Sequence, residues 1–193
     1  MFRVGHTRGR VPVLVHWTVP ALSLFILGTG GRYILTAAAF VGAYLAMLLI
    51  HEAGHQWAAE WRRCRVVGIH IYPLHGTCRY ELPETRFDDA LIAWGGPAAQ
   101  LIAALPFALF IKLVGSTVDP VDVIVAFLGV FSPIVALVNL LPIAPLDGRK
   151  AWLILPLAWQ RLRRGRRESE PRTAMEAMER ALRNAAGRRG RQR

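Results

Sequence analysis

Long apolar runs, separated by short polar segments, fill the first three quarters of the chain. Four of them contain no lysine, arginine, aspartate or glutamate: Val11 to Gly31, Tyr33 to Ile50, Ala90 to Ile111 and Val123 to Leu146. A helix needs about 20 mainly apolar residues to cross a bilayer, and each run is of that order. We therefore expect a mainly α-helical, polytopic membrane protein with about four transmembrane helices.

The first run has a mixed pattern. Pro12 and the alternation of Val11, Val13 and Val15 predict a short extended segment, so the helix is expected to begin near Trp17. Among the four runs, this one has the weakest signal for a transmembrane helix. A cleaved signal peptide is an alternative, since a basic segment precedes the apolar run, but no A-x-A cleavage site follows it.

The segment between the second and third runs has strand character. Val66 to Tyr72 and Thr77 to Leu82 are rich in β-branched and aromatic residues, and the letters PLHG between them indicate a turn. A hairpin alone is only marginally stable in water, so it needs a neighbour. The extended segment Val11 to Val15 is a candidate third strand, which predicts a small sheet.

Basic residues concentrate on alternate connections between the runs. Lysine and arginine accumulate on cytoplasmic loops, and their distribution sets the orientation of a membrane protein. Three connections are basic: the amino-terminal segment with Arg3, Arg8 and Arg10, the strand region with Arg62, Arg63, Arg65, Arg79 and Arg86, and the carboxyl-terminal tail. The other connections carry only Arg32 and Lys112. Both termini, and the small sheet, are therefore expected at the cytoplasmic face.

Composition supports a membrane protein with a separate basic tail. Hydrophobic residues make up 53% and charged residues 19%, whereas soluble domains have about 45–50% and about 25%. The net charge is +11, but 12 of the 24 basic residues lie between Arg161 and Arg193. We expect a membrane-embedded core at 1–159 and an arginine-rich cytoplasmic tail at 160–193.

One short helix is predicted within the tail, over the letters PRTAMEAMERALRNAAG that begin at Pro171 and end at Gly187. It is suited to lie on an anionic lipid bilayer or to pair with a partner, although a solvated, partly disordered tail is the simpler interpretation. Nucleic acid is a disfavoured partner, because no aromatic residue follows Trp159 to stack on bases.

Ionisable residues follow the second apolar run directly, in the motif H-E-x-x-H at 51–55. Residues four apart share a face of a helix, so His51 and His55 can bind one metal ion with Glu52 beside it. Catalytic zinc sites use three protein ligands and leave one position open. The motif therefore predicts a zinc site with a third ligand elsewhere. A packed histidine pair is the structural alternative.

Asp147 is a candidate third ligand. It closes the fourth apolar run, at the same depth as His51 in the predicted topology. Pro142 and Pro145 interrupt the helix before it, and Gly148 permits a tight turn into the next helix. Asp147 also lies at the expected start of that helix, where a carboxylate is a good N-cap, so simple capping is an alternative role.

Two separated motifs make the chain resemble the site-two protease family of intramembrane zinc metalloproteases. H-E-A-G-H is the first, and the second is the family signature N-x-x-P-x-x-P-L-D-G, which is met by Asn139, Pro142, Pro145, Leu146, Asp147 and Gly148. In the segment AWGGPAAQ, Gly96 and Pro97 match the family pattern G-P-x-x-N, but Gln100 replaces the asparagine. The hairpin tip also departs from the family pattern P-x-G-G. The resemblance covers about Val11 to Trp159.

The resemblance implies His51, His55 and Asp147 as zinc ligands and Glu52 as the general base. Asn139 is a candidate hydrogen-bond donor to substrate, or else a cap at the helix break. The implied substrate is a single-pass membrane protein, cut within a prokaryotic cell membrane. A metal-binding membrane module or transporter is the alternative function. A scaffold with a spent site is disfavoured, because all three ligands and the base are present. The sequence does not determine the oligomeric state.

Overall fold

Apolar helices make up most of the fold, as the sequence predicts. The computed structural model describes residues 1–7, 11–114, 120–163 and 178. The helices are α1 (Thr18–Thr29), α2 (Ile34–Trp61), α3 (Arg86–Val114), α4 (Val121–Ala126), α5 (Ser132–Asn139) and α6 (Gly148–Ala151). The strands are β1 (Phe2–His6), β2 (Pro12–Val15), β3 (Val66–Ile71) and β4 (Gly76–Tyr80).

Three helical segments are long and apolar enough to cross a membrane: Gly31–Trp61, Arg86–Val114 and Val121–Asn139. The first predicted run differs from the other three. Residues 12–15 of this run form β2, and what remains is α1, which has 12 residues and a length of about 18 Å. A bilayer core is about 30 Å thick, so the regular helix of α1 covers only part of this thickness.

The third span is interrupted by a π-helical turn. α4 continues into this turn at Phe127–Phe131 and then into α5. α3 packs closely against the turn, since a Cβ atom added to Gly129 would lie 3.0 Å from Phe107 Cβ. Because a π turn inserts one extra residue into a helix, it changes which residues of α5 face the protein interior. Ser132 and Ala136 are the buried residues of α5.

The four strands form one sheet in the order β1-β2-β3-β4. The predicted hairpin is confirmed as the antiparallel pair β3 and β4, and β2 is the predicted third strand, parallel to β3. β1 pairs antiparallel with β2 and was not predicted. Four of the five β1 residues are exposed, so this strand has no alternation of buried and exposed positions for a sequence pattern to reveal.

A hydrophobic cluster joins the sheet to α2. Ile69 and Ile71 of β3 are 1% and 2% exposed, and they pack with Met47 and Leu48 of α2 and with Leu128 of the π-helical turn. Fully buried apolar side chains of this size contribute about 1.5–3 kcal/mol each. The sheet is therefore held against the segment of α2 that carries the H-E-x-x-H motif.

Small residues bring α2 and α3 into backbone contact. A Cβ atom added to Gly54 would collide with the Gly95 carbonyl oxygen, and a Cβ atom on Gly95 would lie 2.5 Å from the Gly54 carbonyl oxygen. Gly, Ala and Ser are enriched where membrane helices approach this closely. The contact falls beside His55, so α3 forms one wall of the predicted metal site.

The chain divides into two compact units, Met1–Ile154 and Leu155–Arg193. In the second unit, residues 155–163 are helical, and the Arg163 guanidinium lies 4.9 Å from the centre of the Trp159 ring. The helix predicted over Pro171 to Gly187 falls outside the described residues apart from Met178, which is helical.

Candidate metal centre

Three predicted ligands meet in the structure. His51 and His55 lie one turn apart on α2, and their Nε2 atoms are 3.1 Å from each other. Asp147 Oδ2 is 3.1 Å from His51 Nε2 and 3.3 Å from His55 Nε2. The two imidazoles are buried and the carboxylate is half-buried. This triangle of two nitrogens and one oxygen is the donor set expected of a zinc site with three protein ligands.

A proline-broken connection carries Asp147 to the histidines. α5 ends at Asn139, and the chain passes through Pro142 and Pro145 without helix before α6 begins at Gly148. A Cβ atom on Gly148 would collide with the Leu140 carbonyl oxygen, so only glycine fits this turn. Asp147 occupies the N-cap position of α6, but its side chain makes no capping hydrogen bond. The carboxylate faces the imidazoles instead.

Hydrogen bonds to the second ring nitrogens select the metal-binding tautomer of both histidines. His51 Nδ1 is 2.8 Å from Gln100 Oε1. His55 Nδ1 is 2.8 Å from the Ile92 carbonyl oxygen and 3.3 Å from the Gly96 backbone nitrogen. Both oxygens can only accept, and the carbonyl is the shorter contact of His55, so we assign the proton of each ring to Nδ1. Both Nε2 atoms then direct lone pairs at each other and at Asp147. Such convergence of acceptors is repulsive without a cation, and the site therefore fits a divalent metal.

Glu52 lies beside the ligands in a confined position. It is 3% exposed, and a Cβ atom on Gly76 would collide with its carboxylate, so glycine at the start of β4 makes room for it. The backbone N–H of Cys78 faces this carboxylate. The general base implied by the family resemblance is thus oriented by the edge of the sheet.

The Cys78 N–H is available to Glu52 because of the register of β4. Tyr72 N–H donates to the His75 carbonyl at the turn, and Cys78 pairs with Ile69 three residues further along. Hydrogen-bonded and non-hydrogen-bonded pairs alternate in an antiparallel ladder, so the Cys78 N–H points away from β3. β4 is an edge strand, and its free edge faces the metal centre.

The site opens into a cavity of about 700 Å³. Its walls include the three candidate ligands, Glu52, the hairpin tip and the connection before Asp147. Asn139 lines the cavity and is half-buried. Within the described residues its side chain makes no hydrogen bond, so the amide is free to meet a substrate.

Charge states near the site follow from burial. Burial raises the pKa of the Cys78 thiol to about 12, and Glu52 and Glu60 add to this effect, so Cys78 stays protonated and does not act as a thiolate ligand. An aspartate carboxyl has an ordinary pKa near 4, so Asp147 is taken as a carboxylate at neutral pH.

Two proteins of known family are similar to this chain. Rip3 of Mycobacterium tuberculosis, named as a zinc metalloprotease, is 31% identical over 161 residues, which are 80% of this chain; the same match is found in strains Erdman and H37Rv. The site-2 protease of Methanocaldococcus jannaschii has a similar fold, with a TM-score of 0.62 and 17% identity over 78% of this chain and 69% of that one. The chain is therefore a distant homologue of Rip3 and has the fold of the site-2 protease.

The match to Rip3 is partial, since this chain spans 35% of the length of that protein. No protein-family model matches the chain. The three apolar helices of membrane length, together with the similarity to these proteins, identify a multi-pass membrane protein. The predictions of fold class and of a resemblance to the site-2 protease family are confirmed.

The other histidines that sequence analysis considers lie outside the cluster of candidate ligands. His75 lines the cavity, with its ring centre 4.8 Å from that of Tyr72. His16 lies 5.6 Å from the Tyr72 ring, and its Nδ1 is 2.7 Å from Thr18 Oγ1, which gives it a structural role at the start of α1. His70 is on β3.

Several neighbours of the ligands have a structural importance that the sequence motifs do not reveal. Gly96 matches the family pattern G-P-x-x-N, but that pattern does not show that a Cβ atom there would collide with His55 Nε2 and lie 2.8 Å from His51 Nε2. The adjacent pair Gly95 and Gly96 was the available signal, since consecutive glycines in a helix are unfavourable without a packing reason. Nothing in the sequence indicated Ser132, which is buried beside Gln100.

Proposed function

We propose that this protein is an intramembrane zinc endopeptidase that hydrolyses a peptide bond of a single-pass membrane protein. One observation carries the proposal: two histidines and one aspartate converge beside a buried glutamate that is not among the three candidate ligands. A site that only binds or transports a metal has no need of such a base.

The proposed roles follow from the donor set. His51, His55 and Asp147 hold zinc. Bound zinc supplies Lewis acidity, which polarises a peptide carbonyl and makes water reactive near neutral pH. Glu52 accepts a proton from the attacking water at its carboxylate and delivers it to the leaving amine. The Asn139 amide donates a hydrogen bond to the scissile carbonyl as negative charge develops on its oxygen.

We propose that the site lies near the cytoplasmic boundary of the membrane. Trp57 and Trp61 stack on the exposed surface of α2 at 6.3 Å, and they are 70% and 61% exposed. Tryptophan marks membrane interfaces. His51 precedes Trp57 by six residues, a rise of about 9 Å along a helix. From the distribution of basic segments we propose that both termini, and the tail at 160–193, lie on the cytoplasmic side of a prokaryotic cell membrane.

The free edge of β4 is the proposed docking place for substrate. A transmembrane helix must unwind before its peptide bonds can be attacked, and unpaired backbone groups are costly in lipid. An extended segment that pairs with β4 recovers backbone hydrogen bonds and comes to lie against the cavity. The Cys78 N–H, which faces Glu52, is the edge donor nearest the site.

Substitution of Cys78 by proline tests this docking. Proline removes the outward N–H without removing a hydrogen bond to β3. We expect KM for a membrane-protein substrate to rise at least several-fold, with zinc content unchanged. Cys78→Ala, which retains the N–H, is the matched control and should be close to wild type. A fall in kcat with unchanged KM would contradict docking at this edge and assign the N–H to Glu52 alone.

Cleavage of a membrane protein is the direct test of the proposed function. Purified protein, reconstituted with tagged single-pass substrates, is expected to produce a fragment whose formation stops on removal of zinc by a chelator and resumes when zinc is restored. Co-expression of candidate substrates with wild type or with Glu52→Gln should show uncut substrate only with the variant. Fragment formation that is insensitive to both treatments would refute the proposal.

A further inference from the structure

A chain of buried polar side chains crosses the three membrane-length segments at the metal centre. His51 lies on α2, Gln100 on α3 and Ser132 at the start of α5. His51 Nδ1 is 2.8 Å from Gln100 Oε1, and Gln100 Nε2 is 3.3 Å from Ser132 Oγ. Gln100 and Ser132 are 1% and 3% exposed. Buried polar groups are costly without partners, so this chain has a structural or functional reason to exist.

The Gln100 amide presents its oxygen to His51 and its NH₂ group to Ser132 Oγ. The oxygen end can only accept a hydrogen bond, and it selects the His51 tautomer protonated at Nδ1. If the amide were reversed, its NH₂ group would face Nδ1 and select the opposite tautomer. The proton would then lie on Nε2, which would remove the lone pair needed to bind a metal. A serine hydroxyl can both donate and accept, so Ser132 supports the observed orientation by accepting from the NH₂ group, as it does in the structure.

The Nδ1 protons of the two candidate histidine ligands are held by different kinds of acceptor. His55 Nδ1 donates to the Ile92 backbone carbonyl, and a helical carbonyl cannot reverse its direction. His51 depends on a side-chain amide, which can rotate. The tautomer of His51 therefore depends on the orientation of another side chain, whereas the tautomer of His55 does not.

The π-helical turn contributes to this arrangement. It spans Phe127–Phe131 and ends immediately before Ser132. By changing the rotation of α5 relative to α4, the turn brings Ser132 to the buried face beside Gln100. The position of the third span is thus linked to the tautomer of a ligand on the first.

We propose that Gln100 is a positioning residue that sets the metal-binding tautomer of His51, and that Ser132 on the third span orients Gln100 for this task. The proposal rests on the metal site of the proposed function, and it is independent of whether the protein cuts peptides. Partners of metal-bound histidines that lie outside the ligand set typically affect metal affinity by 10–100-fold.

Zinc affinity of the full chain in detergent, measured by competition with a chelator, tests the proposal. Gln100→Met keeps approximate size but has no acceptor, and we expect its affinity to fall about 10–100-fold. Gln100→Glu keeps an acceptor for His51 Nδ1–H and should bind zinc within about threefold of wild type or more tightly. Ser132→Ala should lower affinity by a smaller factor, because the amide is then free to rotate.

The absorption bands of the cobalt-substituted protein provide a second measurement. They report ligand geometry and should shift in Gln100→Met and Ser132→Ala but not in Gln100→Glu. The thermal unfolding of each metal-free variant shows whether it is folded. If Gln100→Met does not fold, Gln100→Glu and Ser132→Ala decide the question.

Three outcomes would overturn the proposal. Wild-type zinc affinity in Gln100→Met excludes a positioning role. Equal losses in Gln100→Met and Gln100→Glu indicate that the residue acts through packing. Wild-type affinity and spectrum in Ser132→Ala exclude the orienting role of the third span. Failure of the wild-type chain to bind zinc would instead refute the proposed function, and zinc binding without peptide cleavage would leave the Gln100 proposal intact.

Discussion

Replacement of Glu52 by glutamine is expected to lower peptide cleavage by about 10²–10⁴-fold while zinc remains bound. Glutamine has nearly the same shape, so it fits against Gly76 and can still accept the Cys78 N–H. It cannot take a proton from water at neutral pH. The substitution therefore removes proton transfer and leaves the three candidate ligands in place. Cleavage rate and zinc content, measured on the same preparation, check this prediction.

Glu60→Gln is the matched control for Glu52→Gln. Glu60 lies on the same helix, accepts a hydrogen bond from Gln56 at 2.7 Å and is not among the residues that line the cavity. Its substitution should leave cleavage near the wild-type rate. If Glu52→Gln retained full function, the glutamate would not be a catalytic base. The alternative of a metal-binding module or transporter would then be favoured.

Substitution of Asp147 by alanine is expected to abolish both zinc binding and cleavage. The variant has two neutral imidazoles and no anionic ligand, so the charge of the ion is poorly compensated in a site shielded from water. We expect zinc affinity to fall on the order of 10³-fold, since binding energy in such sites depends on every ligand. Chelator competition measures the affinity, and a cleavage assay should show activity lost in proportion to zinc.

The contrast between the two variants separates metal binding from proton transfer. Glu52→Gln should lose cleavage with zinc retained, whereas Asp147→Ala should lose both. Asp122→Asn, in the first turn of α4 and away from the cavity lining, is the control for loss of an acidic residue. Wild-type zinc affinity in Asp147→Ala would remove Asp147 from the ligand set. Asp147 would then be assigned the alternative role of N-cap, which its position at the start of α6 also permits.

Features that depend on short stretches of sequence were predictable. The spacing of His51 and His55 places both on one helical face whatever the rest of the fold does. The turn letters PLHG and the flanking β-branched residues predicted the β3–β4 hairpin, and the apolar runs predicted the membrane helices. Pro142 and Pro145 indicated a break in the last span, which is where the structure leaves the helix.

Features that depend on contacts between distant segments required the tertiary structure. Gln100 contacts His51, which is 49 positions away in the sequence, and Ser132, which is 32 positions away. Helix and strand periodicities relate only residues a few positions apart, so they do not predict these contacts. β1 is a strand only because β2 offers an edge to it. The Cys78 N–H reaches Glu52 through the register of a ladder, and Gly96 is required only because two imidazoles pack against it. Local periodicity therefore determined which residues lie on which helices and strands, whereas packing of these elements decided how donors, acceptors and backbone meet around the metal centre.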